Sequence, residues 1–310
     1  MRQKADSAEV LADKDIEEYK KSIQAQVSAY KMSNEWDKAG ELLKGLADKL
    51  QTLDAIWNYA FFSQKQNQFV AAEKYYKLYI NKLSSLSDTK SEENEQKLAN
   101  CYNNFAKLYR DTQRFTESEQ MYKLALEIRQ RLSASNPQAY EPDLATSYNN
   151  LGLLYNRIQR FPESEQMYKS ALEIYKRLSA SNPQDYELDL ARSYICLGVL
   201  YSDVQCFLES EQMYKSALEI YKRLIGEYPQ FYGQQQAICL FWLAESQVKQ
   251  EKYAEAISPL EKALEFYKKE AEHGTSIDFY TTIMSCLQQL YEQEKKTLRH
   301  INAISKIYPY

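Results

Sequence analysis

An internal repeat limits the folds available to this chain more than any other property of its sequence. The segment FTESEQMYK at Phe115–Lys123 returns as FPESEQMYK at Phe161–Lys169 and as FLESEQMYK at Phe207–Lys215, each time after 46 residues. Weaker copies begin at Trp36, Phe69 and Tyr253. A recurrence of this length indicates that each copy is one supersecondary unit, and that the units bury their apolar faces against one another.

Each unit has the hydrophobic periodicity of two helices. In the unit that contains Phe161, a first face is formed at helical spacing by Tyr148, Leu151, Gly152 and Tyr155. After a short break, a second face follows at Phe161, Ser164, Tyr168, Ala171 and Leu172. Pro162 lies where the second helix begins, a position that tolerates a missing N–H. The residue before a proline is disfavoured in a helix, so Asn136-Pro137 and Asn182-Pro183 predict the ends of second helices.

This order of residues resembles the signature of tetratricopeptide repeats: a large aromatic, Leu, Gly or Ala, and Tyr, followed by Phe, a small residue, Tyr and Ala. The resemblance covers about residues 17–293. The usual repeat has 34 residues, whereas the later units add about 12 residues and lack the closing proline. They resemble the extended repeats of kinesin light chains and of bacterial multi-repeat proteins. The resemblance implies an all-α, right-handed superhelical solenoid of stacked antiparallel helix pairs.

A solenoid of this kind predicts the organisation of the whole chain. We expect a polar lead-in at residues 1–16 and helical repeats at residues 17–293. The second helices are expected to start near residues 36, 69, 115, 161, 207 and 253. Because a terminal repeat needs a polar outer face, we expect residues 294–310 to form a C-terminal capping helix.

Charge and composition exclude several classes of protein. A net charge of -4 and a pI of about 5.6 argue against a nucleic-acid-binding protein, which usually carries a basic stripe. The apolar runs are too short to cross a membrane, and the amino terminus lacks an apolar signal core. The five cysteines form no Cys-x-x-Cys pair, so they predict neither a disulfide framework nor a zinc site. We therefore predict a cytoplasmic protein.

The sequence also argues against an enzyme. Its seven glycines form no phosphate-binding loop, and the two histidines, His273 and His300, have no partners at metal-ligand spacing. The paired glutamates of Glu117-Ser118-Glu119 and its copies lie at the start of a helix, where the helix dipole favours negative charge. We therefore predict no catalytic residue, no metal and no cofactor.

The candidate binding residues follow from the resemblance, which implies that the first helix of each pair faces the concave side. The exposed positions on these helices that we predict to bind a peptide are Asn103, Asn104, Lys107, Arg110, Asn149, Asn150, Asn156, Arg157, Arg192 and Trp242. Asparagine is a poor helix former, but its amide both donates and accepts hydrogen bonds, so it can bind the backbone of an extended peptide. In the central units the basic candidates outnumber the acidic residues, which favours an acidic peptide with one bulky apolar anchor.

Two alternatives remain open for these residues. The asparagines are also consistent with solvated positions copied by duplication, since Asn103-Asn104 recurs as Asn149-Asn150. The apolar residues of the same helices, such as Trp242, are also consistent with packing against a neighbouring helix.

Three classes of function fit a repeat protein of this kind. The first is a scaffold or adaptor that binds a peptide segment or a helix of a partner protein in the concave groove. The second is a structural protein that assembles through its own repeats, and the third is a ligand-sensing regulatory module of a larger system. The sequence leaves the oligomeric state open between a monomer and a homodimer.

Overall fold

The helical periodicity of the sequence is present throughout the described backbone of the computed structural model, which covers residues 2–86, 88, 90–227, 229–272 and 277–307. Over these residues the regular structure is helical, and the helices are α1 (Arg2–Met32), α2 (Trp36–Leu50), α3 (Leu53–Lys65), α4 (Phe69–Ser84), α5 (Glu92–Asp111), α6 (Phe115–Ser135), α7 (Pro137–Arg157), α8 (Phe161–Ser181), α9 (Pro183–Asp203), α10 (Phe207–Glu227), α11 (Pro229–Lys249), α12 (Tyr253–Glu272) and α13 (Ile277–Ile307). The prediction of an all-α fold of stacked helix pairs is confirmed.

Side chains are described for residues 16–86, 88, 90–226, 231–270 and 278–295. Nearly all of the lead-in predicted at residues 1–16 lies outside these ranges. So do His273, His300 and most of the capping segment predicted at residues 294–310.

The chain divides into two compact units, Met1–Pro137 and Gln138–Tyr310. Within unit 1, each helix from α1 to α6 packs against the next along the chain. Within unit 2, α7 contacts α8 through a hydrogen bond, and each later helix packs against the one that follows it. Odd-numbered helices up to α11 are the first helices of pairs, and even-numbered helices are the second.

The turn inside each pair contains one residue with left-handed backbone geometry. These residues have φ between 58° and 62° and are Asn34, Asn67, Gln113, Gln159, Gln205 and Glu251. The next backbone N–H turns back to the helix that has just ended, as when Arg160 N donates to Tyr155 O at 2.8 Å. This is a Schellman-type ending, which satisfies carbonyls that the helix end leaves without partners. The connection between α8 and α9 is a single residue: α8 ends at Ser181, and α9 begins with a proline after Asn182.

The two helices of a pair approach closely along a contact that we call the seam. Ser164 Oγ on α8 donates to Gly152 O on α7 at 2.8 Å, and Gly152 lies against the buried ring of Tyr168. A Cβ on Gly152 would lie 2.7 Å from Tyr168 Cδ1, so a side chain there cannot be placed without movement of the ring. The hydrogen bond recurs at 2.8 Å in Ser118–Ala106 and in Ser210–Gly198.

The seam also carries an ion pair in three pairs of helices. These ion pairs are Arg131–Glu95 at 2.6 Å, Arg177–Glu141 at 2.6 Å and Arg223–Glu187 at 2.7 Å.

Neighbouring pairs are joined by glutamates of the second helices. In unit 1, Glu73 on α4 accepts a hydrogen bond from Tyr109 Oη at 3.2 Å and pairs with Arg114 at 2.7 Å. In unit 2, Glu211 on α10 pairs with Lys252 at 2.8 Å and accepts a bond from Gln247 Nε2 at 3.3 Å. These contacts link α4 and α10 to the pairs that follow them, in addition to the apolar cores of the two units.

Candidate functional site

The predicted site residues lie on first helices, at positions that the seam does not use. On α7 the seam and core take up Leu144, Ala145, Leu151, Gly152 and Tyr155, which are all buried. Asparagines, an arginine and Leu153 occupy the positions between them. Leu153 is 42% exposed, an apolar side chain on a surface that is otherwise polar. We call the set formed by Asn149, Asn150, Leu153, Asn156, Arg157 and Arg192 the α7–α9 face.

Two asparagines of this face are fixed by α9. Asn149 Nδ2 donates to Ser193 Oγ at 2.9 Å, and Asn156 Nδ2 donates to Asp203 Oδ2 at 2.7 Å. The Oδ1 atom of each asparagine is buried and has no hydrogen-bond partner in the structure. An acceptor in this state costs roughly 1 to 3 kcal/mol. The two side chains therefore join α7 to α9.

The other polar residues of the face differ in their surroundings. Asn150 is half-buried, whereas Arg157 is exposed near the end of α7. Arg192 is exposed on α9 and pairs with Asp189 on its own helix at 3.2 Å. An exposed pair of this kind contributes little to stability, so the guanidinium can exchange Asp189 for a carboxylate of a partner at small cost.

Trp242 on α11 packs against a neighbouring helix with part of its side chain. Its ring stacks on Tyr214, with centroids 6.1 Å apart and an interplanar angle of 29°. The indole is half-buried, so it supports α10 while part of it remains accessible. Packing against a neighbouring helix, the alternative interpretation of this residue, therefore explains the buried part of the Trp242 side chain. The adjacent Phe241 also packs on an aromatic ring, with its centroid 5.2 Å from that of Phe279.

The candidates of unit 1 lie on α5. Asn104 Nδ2 donates to Asn100 O at 2.9 Å, and the backbone oxygen of Asn104 accepts a bond from Gln64 Nε2 of α3 at 3.2 Å. Asn103 is half-buried and Lys107 is exposed. Arg110, in contrast, is buried, and its guanidinium binds the carboxylate of the adjacent Asp111 at 2.9 Å. Of the two basic candidates on this helix, Lys107 is exposed and Arg110 is held within the fold.

Sequence reasoning missed Ser193, which receives the Asn149 amide from a position 44 residues further along the chain. Helical periodicity assigns each residue to a face of its own helix but does not say which residue of the next first helix it meets. The 46-residue repeat is a signal that could have identified this partner. It places Asn149 and Ser193 at nearly equivalent positions of two neighbouring first helices.

Three of the cysteines that the structure describes are wholly or partly shielded from solvent. Burial raises the pKa of the thiols of Cys101 and Cys239, and it raises the pKa of the Cys196 thiol on α9 to about 11. Thiols with such values stay protonated and unreactive at neutral pH. Among the residues that the structure describes, no group of three or more His, Cys, Asp or Glu side chains could hold a metal. A search of the described helices finds none with the length and apolarity of a membrane span.

Comparisons with known proteins agree with this architecture. The family model described as tetratricopeptide repeat matches residues 97–177 and 189–269. A search of curated protein sequences finds no match.

Solved structures share the fold, and three of them illustrate the similarity. The crystal structure of BtubC (BKLC) from P. vanneervenii is 23% identical, with 80% of this chain and 92% of that chain covered and a TM-score of 0.61. A putative kinesin light chain from Podosopora anserina with nearly identical TPR-like repeats is 13% identical, with 70% and 96% covered and a TM-score of 0.55. A Rap protein complexed with competence and sporulation factor is 16% identical, with 90% and 77% covered and a TM-score of 0.54.

Proposed function

This chain belongs to the tetratricopeptide repeat family, and we propose that it is a non-enzymatic scaffold that binds a segment of a partner protein along its first helices. Stacked helical repeats commonly use such surfaces for binding, because packing within the stack leaves one face of each first helix open. The proposal extends to both units separately, through the α7–α9 face in unit 2 and through α5 in unit 1.

The observation that carries the proposal is the composition of the α7–α9 face. It presents an exposed leucine between asparagine amides and two exposed arginines, Arg157 and Arg192. The aspartates nearby already have partners, since Asp203 accepts a bond from Asn156 and Asp189 pairs with Arg192. We infer a partner segment that carries carboxylates and one bulky apolar side chain. Leu153 would contact the apolar side chain, and the arginines would pair with the carboxylates.

A structural neighbour supports a peptide as the type of partner. The Rap protein of similar fold was crystallised with competence and sporulation factor, so a repeat protein with this type of fold accommodates a separate ligand. Within this chain, asparagine amides can bond to the backbone of an extended segment of any sequence, while the arginines select for charge.

The test uses partners recovered from native lysate and identified by mass spectrometry. The affinity of the purified partner is then measured by calorimetry for the parent chain and for the triple variant Asn149→Ala, Asn150→Ala and Arg157→Ala. We expect the triple variant to weaken binding by about a hundredfold, since each lost polar contact contributes roughly 1 kcal/mol.

The matched control is Lys222→Ala, an exposed cation on the second helix α10. It should leave the affinity unchanged. Because Asn149 also bonds to Ser193, circular dichroism and a thermal melt must show that the triple variant is folded at the temperature of the titration. An unchanged affinity in a folded triple variant would remove the α7–α9 face from the proposal.

A further inference from the structure

A separate cavity of about 690 Å³ opens among α1, α2 and α3 of unit 1. Its volume lies in the range of small-molecule sites, which are typically about 300 to 1,000 Å³. The side chains that matter for its chemistry are Lys31, Trp36, Asn58, Phe61, Phe62 and Lys65. None of them belongs to the candidate faces described above.

The wall of this cavity is aromatic and partly uncovered. Trp36 is 40% exposed and Phe61 is 39% exposed, so two large apolar side chains of one cavity remain in contact with water. Phe61 is held in place by Trp57, with ring centroids 6.3 Å apart and an interplanar angle of 13°. A fixed, exposed ring of this kind offers a surface on which a planar ligand can stack.

The charge of the cavity is positive. Lys31 Nζ lies 5.6 Å from the ring centroid of Phe62, and Lys65 Nζ lies 5.3 Å from that of Phe61. Among the side chains that the structure describes, the lining contains no aspartate or glutamate, and the contacts of the two ammonium groups are with aromatic faces. A bound anion would therefore meet both ammonium groups without a competing carboxylate from these residues.

We propose that this cavity binds a small organic anion in which a carboxylate or a similar group is attached directly to an aromatic ring. Each ammonium group lies within 6 Å of the centroid of the ring that it covers. A ligand that contacts both an ammonium group and a ring must therefore carry its anionic group within a similar distance of its own ring. The ring of the ligand stacks against Phe61 and Trp36, its anionic group lies between Lys31 and Lys65, and the Asn58 amide supplies a further hydrogen bond. This site is independent of the peptide-binding proposal.

The test compares 1-naphthoate with 1-naphthamide, which has nearly the same shape but no charge, by ligand-observed NMR titration of the full chain. We expect 1-naphthoate to bind at least tenfold more tightly than the amide. The double variant Lys31→Gln and Lys65→Gln should weaken naphthoate binding by about tenfold and should leave amide binding unchanged, since two partly exposed ion pairs are lost. Both lysines are exposed, so these changes do not threaten folding.

The control variant is Lys262→Gln, an exposed lysine of α12 that should leave both affinities unchanged. Equal affinity for the acid and the amide, an unchanged naphthoate affinity in the double variant, or no saturable binding of naphthoate would each overturn the proposal. None of these results depends on the partner peptide, so they leave the proposed function untouched.

Discussion

The seams and the exposed faces of the first helices differ in how they change from repeat to repeat. At the seam, the hydrogen bond from serine to a carbonyl oxygen has the same length in three pairs. On the exposed faces, residues at equivalent positions change from Asn103 to Asn149 to Ile195, and from Lys107 to Leu153 to Val199. Close packing of two helices permits few residues, whereas a surface that contacts water or a partner permits many. We therefore expect stability to depend on the repeated seam, and the proposed binding to depend on the variable faces.

The largest predicted loss of stability follows from replacing a glycine of the seam with a larger residue. A Cβ at position 198 would lie 2.6 Å from Tyr214 Cε1, so Gly198→Val forces α9 and α10 apart. We expect a loss of at least about 3 kcal/mol in the free energy of unfolding, measured with urea. Gly226→Val is the matched control on α10, because a Cβ there meets no atom within 4 Å. Equal losses in the two variants would show that the seam is no tighter than the helix surface.

Acid should weaken the junction at Glu211. Burial raises the pKa of this carboxyl group, but hydrogen bonds from Lys215, Lys252, Gln250 and Gln247 outweigh burial and lower the pKa to about 2. The folded-state pKa is thus below the ordinary value of 4.5, so the stabilisation is complete above pH 4.5 and is lost as the pH falls toward 2. We expect roughly 2 to 3 kcal/mol of pH-dependent stability from this group.

The measurement for this junction is a series of urea titrations between pH 6 and pH 3 on the parent chain and on Glu211→Gln. The variant should be less stable at pH 6, and its stability should fall less steeply with acid. Identical pH profiles for the two proteins would contradict the assignment.

The hydrogen bond of the seam should contribute less than its packing. In Ser164→Ala the buried carbonyl of Gly152 loses its second donor, and we expect a loss of about 1 kcal/mol. The control is Ser170→Ala on the same helix, whose hydroxyl only bonds back to Gln166 O of its own turn. Thermal melts of both variants separate the two cases, and a loss of the same size for Ser170→Ala would argue against a special role of the seam.

The smallest predicted effect is a gain. Cys206 occupies the repeat position that holds Arg114 and Lys252 in other copies, so Glu165 lacks the cation that Glu73 and Glu211 receive from the following pair. Cys206→Arg should stabilise unit 2 by about 0.5 kcal/mol, and the gain should disappear when Glu165 is also changed to glutamine. Chemical denaturation of the four proteins in this double-mutant cycle measures the coupling. A gain that persists without Glu165 would assign the effect to the loss of cysteine itself.

The sequence was sufficient for the fold class because the repeated apolar pattern of Phe161, Tyr168 and Leu172 specifies a helix that must pack against another. It was less informative for the candidate residues. Arg110 was predicted on the exposed face, but its guanidinium is buried beside Asp111. Helical spacing shows on which face of its helix a residue lies. It does not determine whether a long side chain folds back onto the protein or which residue it meets on a neighbouring helix.

The most direct test of the central claim replaces single apolar residues with a photo-crosslinking amino acid. Leu153→p-benzoylphenylalanine places the probe on the α7–α9 face, and Leu208→p-benzoylphenylalanine places it on the second helix α10, where the leucine is 60% exposed. After irradiation in native lysate, the account predicts a crosslinked partner from position 153 and none from position 208. Crosslinking only from position 208, or equally from both positions, would contradict it.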